Sequence, residues 1–139
     1  MDIFANIDHL NDAIVHATAP AFMLGAVASF LAILIGRLER VADKRRALRA
    51  ASPVPDIAVE MDSAFARRME LLSRAIAFAV LSALFTAGLL IGGFLAALLG
   101  VGHGIVMAGM FAIALGLLMA SLVDLAREMS IYMIHMHVE

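Results

Sequence analysis

Three groups of side chains in this sequence are of types that could do chemistry. His9, Asp12 and His16 fall on one side of a short N-terminal helix, with Asp8 nearby. Two imidazoles and a carboxylate at that spacing suit a divalent cation and would make a metal sensor, although an ordinary polar helix face is the commoner origin of such a trio. Met133-Ile134-His135-Met136-His137 joins thioether to imidazole, ligands suited to copper or zinc. On a helix His135 and His137 point about 200° apart, so they chelate together only from an extended tail, and a tail packed on the membrane surface is the plainer expectation. The third group is Arg74, Asp124 and Arg127, which sit at the inner ends of two apolar stretches. Arg74 is expected to pair with Asp124, with Arg127 as the alternative partner; the plain alternative is that each snorkels to headgroups on its own. No nucleophile with its base, phosphate-binding loop or paired-carboxylate site is recognisable, so no enzyme is expected. No cofactor is expected either. The chain has no Cys, which removes disulfides and thiolate chemistry.

The elements that must position these residues are membrane elements. The 139 residues are 63% hydrophobic, with a mean hydropathy of +0.97. Soluble domains carry roughly 45–50% apolar residues, and a globule of this size has too little interior to hide the excess. Nine of the ten basic residues lie between Arg37 and Arg74, flanked by apolar stretches from Ala19 to Gly36 and from Ala75 to Ala126. Basic loops stay on the cytoplasmic side. The N-terminus is therefore expected outside and the C-terminus inside, with no basic patch on a polar surface for nucleic acid. The start Met-Asp-Ile-Phe is acidic, unlike a cleavable signal peptide.

The expected fold is all-α: one membrane domain over 1–139 with three crossings. Residues 2–18 form an amphipathic outer helix, with Ile3, Ile7, Leu10 and Ile14 on one face. Thr18 and Pro20 read as the cap and first turn of a new helix. Span 1 covers 20–36, span 2 covers 75–98 and span 3 covers 105–123. Cytoplasmic arms over 37–74 form a helical hairpin by extending helices 1 and 2, with their turn at Ser52–Asp56. Residues 124–139 form a cytoplasmic tail.

Small residues recur every fourth position in each span: Gly104, Ala108, Ala112, Gly116 and Ala120 in the third; Gly88, Gly92, Ala96 and Gly100 in the second, beside Ala75, Ala79, Ala83 and Ala87; and Ala17, Ala21, Gly25 and Ser29 in the first. In lipid such stripes let backbones approach, so they read as helix-packing seams. Three helices offer few internal seams, so at least one stripe is expected between copies of the chain, in a cyclic oligomer.

Ala19-Pro20-Ala21-Phe22-Met23-Leu24, Arg37-Leu38-Glu39-Arg40-Val41, Arg45-Arg46-Ala47-Leu48, Arg67-Arg68, Leu71-Leu72-Ser73-Arg74-Ala75-Ile76 and Arg127-Glu128-Met129-Ser130 together resemble a bacterial membrane-protein family. It is known only as domain of unknown function 2721. The resemblance spans residues 5 to 135. It implies three membrane helices in a bacterial inner membrane and supplies no activity or catalytic residue.

Intramembrane charge is the usual mark of coupled transport, and the spans carry none; Ser29, Ser82, Thr86 and Ser121 are their only side-chain hydroxyls. The preferred functional expectation is a small homo-oligomer in the lipid bilayer that forms an ion-conducting pore. Helix 1 would line it, with Asp8, Asp12, His16 and Ser29 at the pore or its acidic outer mouth. The alternatives are a non-catalytic structural subunit of a larger membrane complex, and the divalent-metal sensor.

Overall fold

The structure is a computed structural model. It describes the backbone of residues 2–51, 55–99 and 104–136, and the side-chain surroundings of 11, 14–15, 17–51, 62–99 and 104–130. Three helices follow in order: α1 (Asp2–Ala51), α2 (Pro55–Leu99) and α3 (Gly104–Met136). Segments Ala17–Ala51, Asp62–Leu99 and Gly104–Ser130 are long and apolar enough to cross a membrane. By length and composition, then, the chain is an all-helical, multi-pass membrane protein. At 50 residues α1 is about 75 Å long, against a hydrocarbon layer of roughly 30 Å, so most of its charged half lies beyond any single crossing.

No separate outer helix is present. The expected break at Thr18–Pro20 is absent and α1 runs through it. Thr18 shows why: its hydroxyl donates to the Ile14 carbonyl at 2.8 Å, the back-bond of a residue inside a helix, instead of capping a new one. Pro20 is buried in mid-helix. It removes one backbone hydrogen bond, a loss that apolar helices packed on neighbours tolerate.

α2 is the central helix. It packs along α1 on one side and α3 on the other, while α1 and α3 scarcely touch. The core lies along these two seams. Met23, Val27, Leu34 and Val41 supply it from α1, Leu72, Ala75 and Ala79 from α2, and Ala114 from α3. The α2–α3 seam is closed by small side chains and two buried hydroxyls. Ser121 Oγ donates to the Ala75 carbonyl at 2.6 Å, and Ser82 Oγ donates to the Ala114 carbonyl at 2.8 Å. Each bond joins a side chain of one helix to the backbone of the other, which requires the helix axes to come close. Alanine and serine at those positions are what permits it. Thr86 Oγ1 donates back to the Ser82 carbonyl at 2.8 Å and lies 3.8 Å from Met23 Sδ of α1. Farther along, an added Cβ at Gly92 would meet Met107 Cε at 3.2 Å, so that glycine is where a flexible methionine of α3 lies down on α2.

Candidate functional site

The charged residues assemble into three tiers where the charged part of α1, the start of α2 and the end of α3 come together. The middle tier is the centre. Glu128 of α3 is only 1% exposed, yet it accepts hydrogen bonds from both other helices. Arg68 of α2 donates to Oε1 from Nε at 2.9 Å and from Nη2 at 2.6 Å, and Arg37 of α1 donates from Nη1 to Oε2 at 3.1 Å. Both carboxylate oxygens are satisfied by guanidiniums, the arrangement in which a buried charge is tolerated. Because α1 and α3 scarcely touch, the Arg37–Glu128 pair is the main polar tie between them among the described residues.

The second tier lies one helical turn away on α3. Asp124, four residues before Glu128, is 4% exposed and faces the same way. Arg74 Nε stands 3.8 Å from its Oδ2, within ion-pair range but too far for a hydrogen bond, and Oδ2 has no hydrogen-bond partner. Arg127, the alternative partner, is exposed. Since Arg74 is 56% exposed, the pair is screened. A double-mutant cycle of Asp124→Asn with Arg74→Gln, read by thermal unfolding in detergent, is expected to give a coupling of about 0.5–1 kcal/mol. Strict additivity would show that the two do not interact.

The third tier clamps the charged half of α1 to the start of α2. Asp62 receives Arg45 at 2.6 and 2.9 Å and Arg49 at 3.1 and 2.8 Å, each a bidentate fork. Asp62 belongs to the charged arm that precedes the apolar stretch beginning at Ala75. The hydrogen bonds from Arg45 and then Arg49 hold its carboxyl well below the ordinary carboxylate range. Arg45 Nη1 also points at Met69 Sδ, 3.7 Å away.

The small-residue stripes separate by face. Ala75 and Ala79 are fully buried, and Gly88, Gly92 and Ala96 are partly covered on α2. Gly104, Ala108, Ala112 and Gly116 are exposed, and Ala120 is half-buried. Nothing lies within 4 Å of a Cβ built at Gly104 or Gly116. Within one chain this longest ladder is therefore not a seam. α3 packs instead through Met107, Met110, Phe111, Ala114, Ser121, Asp124 and Glu128. Gly25 and Ser29 are likewise exposed on α1, and the Ser29 hydroxyl donates to its own helix at the Gly25 carbonyl, 3.1 Å away.

Asp8, His9, Asp12 and His16 lie on α1, but their side chains fall outside the described residues, as do those of Met133, His135, Met136 and His137. What sequence reasoning passed over is the Glu128 centre. A signal existed: Asp124 and Glu128 continue the spacing of the inward α3 positions Ala114 and Ser121, and a carboxylate at an inward register position calls for a cationic partner.

A family model described as a protein of unknown function (DUF2721) matches residues 17–137. The match contains all three tiers and begins after Asp8, His9, Asp12 and His16, so residues 5–16, included in the resemblance read from the sequence, fall outside it. No curated protein and no solved structure matches the chain.

Proposed function

Since the chain belongs to the DUF2721 family, whose function is unknown, we propose its role from its own faces: a non-enzymatic membrane protein that assembles with further copies of itself through α3. One observation carries this reading. Gly104, Ala108, Ala112 and Gly116 form an unbroken exposed stripe on a helix that packs against α2 through its other side. A lipid-facing helix gains nothing from repeated small residues, whereas a second helix approaching that stripe gains dispersion contacts along its length. The concentration of basic residues between Arg37 and Arg74 supports a cytoplasmic place for the arms and the C-terminus, with the N-terminus outside, in a bacterial inner membrane. The clamps at Asp62 and Glu128 make the arms and the inner halves of the helices one unit on which copies would assemble.

Native mass spectrometry from mild detergent tests the reading. The wild type is expected as a single symmetric oligomer. Ala112→Leu with Gly116→Leu is expected to shift it to monomers, with helicity and unfolding temperature retained, because both sites are open in the single chain. A monomeric wild type, or an unchanged subunit number in the variant, would sink the proposal. Co-purification of other subunits at fixed stoichiometry would favour the accessory role in a larger complex.

A second reading, ion conduction between copies, rests on Ser29. Ser82, Thr86 and Ser121 are buried inside the chain, which leaves Ser29 as the intramembrane hydroxyl on an outward face. Because Val27, Leu34, Leu72 and Ala79 fill the interior of one copy, any ion path would run between copies. Planar-bilayer recording decides: steady unitary currents altered by Ser29→Leu would support it, and silence across ions and voltages would end it.

A further inference from the structure

At the inner end of the span 1 stretch, two guanidiniums stand side by side on α1 with most of their donors unspent. Arg37 and Arg40 are three residues apart, so they are neighbours on the helix surface. Arg37 uses Nη1 on Glu128, and its Nε and Nη2 have no partner among the described residues. Arg40 uses Nε on the Gly36 carbonyl at 2.9 Å, and its two terminal nitrogens have none. The Gly36 contact sets the height of the charge. Side chains on a helix lean toward its N-terminus, and Arg40 lies back over Gly36, its Nη2 being the atom an added Cβ there would meet, at 3.8 Å. At that distance a Cβ would make ordinary contact, so a small residue at 36 leaves room for the guanidinium at the last residue of the apolar stretch, whereas a long side chain would compete for the same place.

The charge balance at this level is positive. Glu128 neutralises one of its two arginines, Asp124 faces Arg74, and Arg40 has no acidic partner among the described residues. A guanidinium with two free terminal N–H groups matches a phosphate oxygen pair, and Arg is the side chain suited to that bidentate geometry. At the depth where an apolar helix leaves the hydrocarbon, the phosphates present belong to lipid headgroups.

We infer that Arg37 and Arg40, with Arg40 seated over Gly36, form a binding site for the phosphodiester of an anionic phospholipid in the cytoplasmic leaflet. The site rests on reading residues 20–36 as a membrane span with the arms inside, and not on self-association.

Native mass spectrometry of the full chain, incubated with equal phosphatidylglycerol and phosphatidylcholine, reads lipid occupancy and subunit number in one spectrum. Failure of assembly and failure of lipid binding are therefore seen separately. The wild type is expected to retain phosphatidylglycerol preferentially. Arg40→Gln is expected to lower that preference about five-fold, the worth of one basic residue near an anionic surface. Gly36→Leu, which leaves every charge in place but takes the bed from under Arg40, is expected to lower it as well. Arg46→Gln, on the exposed Arg46–Asp43 pair farther down α1, is expected to leave it unchanged. Equal retention of the two lipids by the wild type would overturn the site, as would an Arg40→Gln variant that binds like wild type. A loss at Arg46 equal to that at Arg40 would reduce it to general surface charge. Displacement of the lipid by millimolar inorganic phosphate would assign the site to a soluble anion and overturn the lipid reading.

Discussion

Glu128→Ala is expected to lower the stability of the folded chain by about 3–5 kcal/mol, the cost of removing one partner from a buried ionic cluster. The expectation follows from geometry. The carboxylate is 1% exposed and holds one arginine from each of the other two helices, so its removal takes away the buried charge that both guanidiniums bind. Arg37 is 34% exposed and can turn outward to water or headgroups, which pulls the effect toward the lower end. Arg68, at 17%, is held more deeply and has the shorter bonds. Glu128→Gln keeps the shape and one acceptor but loses the charge, and should cost about 1.5–3 kcal/mol, the range for hydrogen bonds to charged groups. Thermal unfolding in detergent, followed by circular dichroism, provides the measurement. Arg46→Gln serves as the exposed comparison, because its Asp43 pair is 81% and 72% exposed on its two sides. A Glu128→Ala loss no larger than that of Arg46→Gln would mean that the three helices do not depend on this centre.

The second large effect is expected at the α2–α3 seam. Ala79→Leu should destabilise the fold by about 1–3 kcal/mol through overpacking. Ala79 is fully buried, on the same face of α2 as Ala75 and Ser82, where serine hydroxyls reach the facing backbones at 2.6 and 2.8 Å. A leucine there separates the helices and stretches both bonds, which have no water to replace them inside a bilayer. Ala112→Leu makes the same chemical change on the exposed side of α3 and should leave the unfolding temperature of the single chain within the ordinary scatter of surface changes, about 0.5 kcal/mol. Equal losses at the two positions would contradict the facing of α3 described above. Where copies associate through the exposed ladder, Ala112→Leu acts on subunit number, so the two measurements report on different surfaces of one helix.

The existence of three long apolar helices and the gathering of charge between Arg37 and Arg74 were legible in the sequence, because hydropathy and charge are properties of composition along the chain. Arg74 and Asp124 were legible as neighbours for a related reason. Both end apolar stretches, so both must sit at the same boundary whatever the packing. The continuity of α1 through Pro20 was not legible. Thr-Ala-Pro is also a good helix start, and only the hydroxyl bond from Thr18 to Ile14 distinguishes interior from cap. Glu128 was passed over because a carboxylate after an apolar stretch normally reads as the point where a helix meets water.

The sequence by itself determined the class of molecule and the level of each charge along its helix. The tertiary structure decided which way each helix turns. A helix apolar on every side has no stripe to declare its inward face, and small residues recur here on several faces at once. Rotation about the axis is then settled by close packing: Ala75 and Ala79 admit the Ser121 and Ala114 side of α3, which sends Gly104 to Gly116 outward. The same rotation carries Asp124 and Glu128 inward, and so turns two charges that mark a boundary into the groups that tie α3 to α2 and α1.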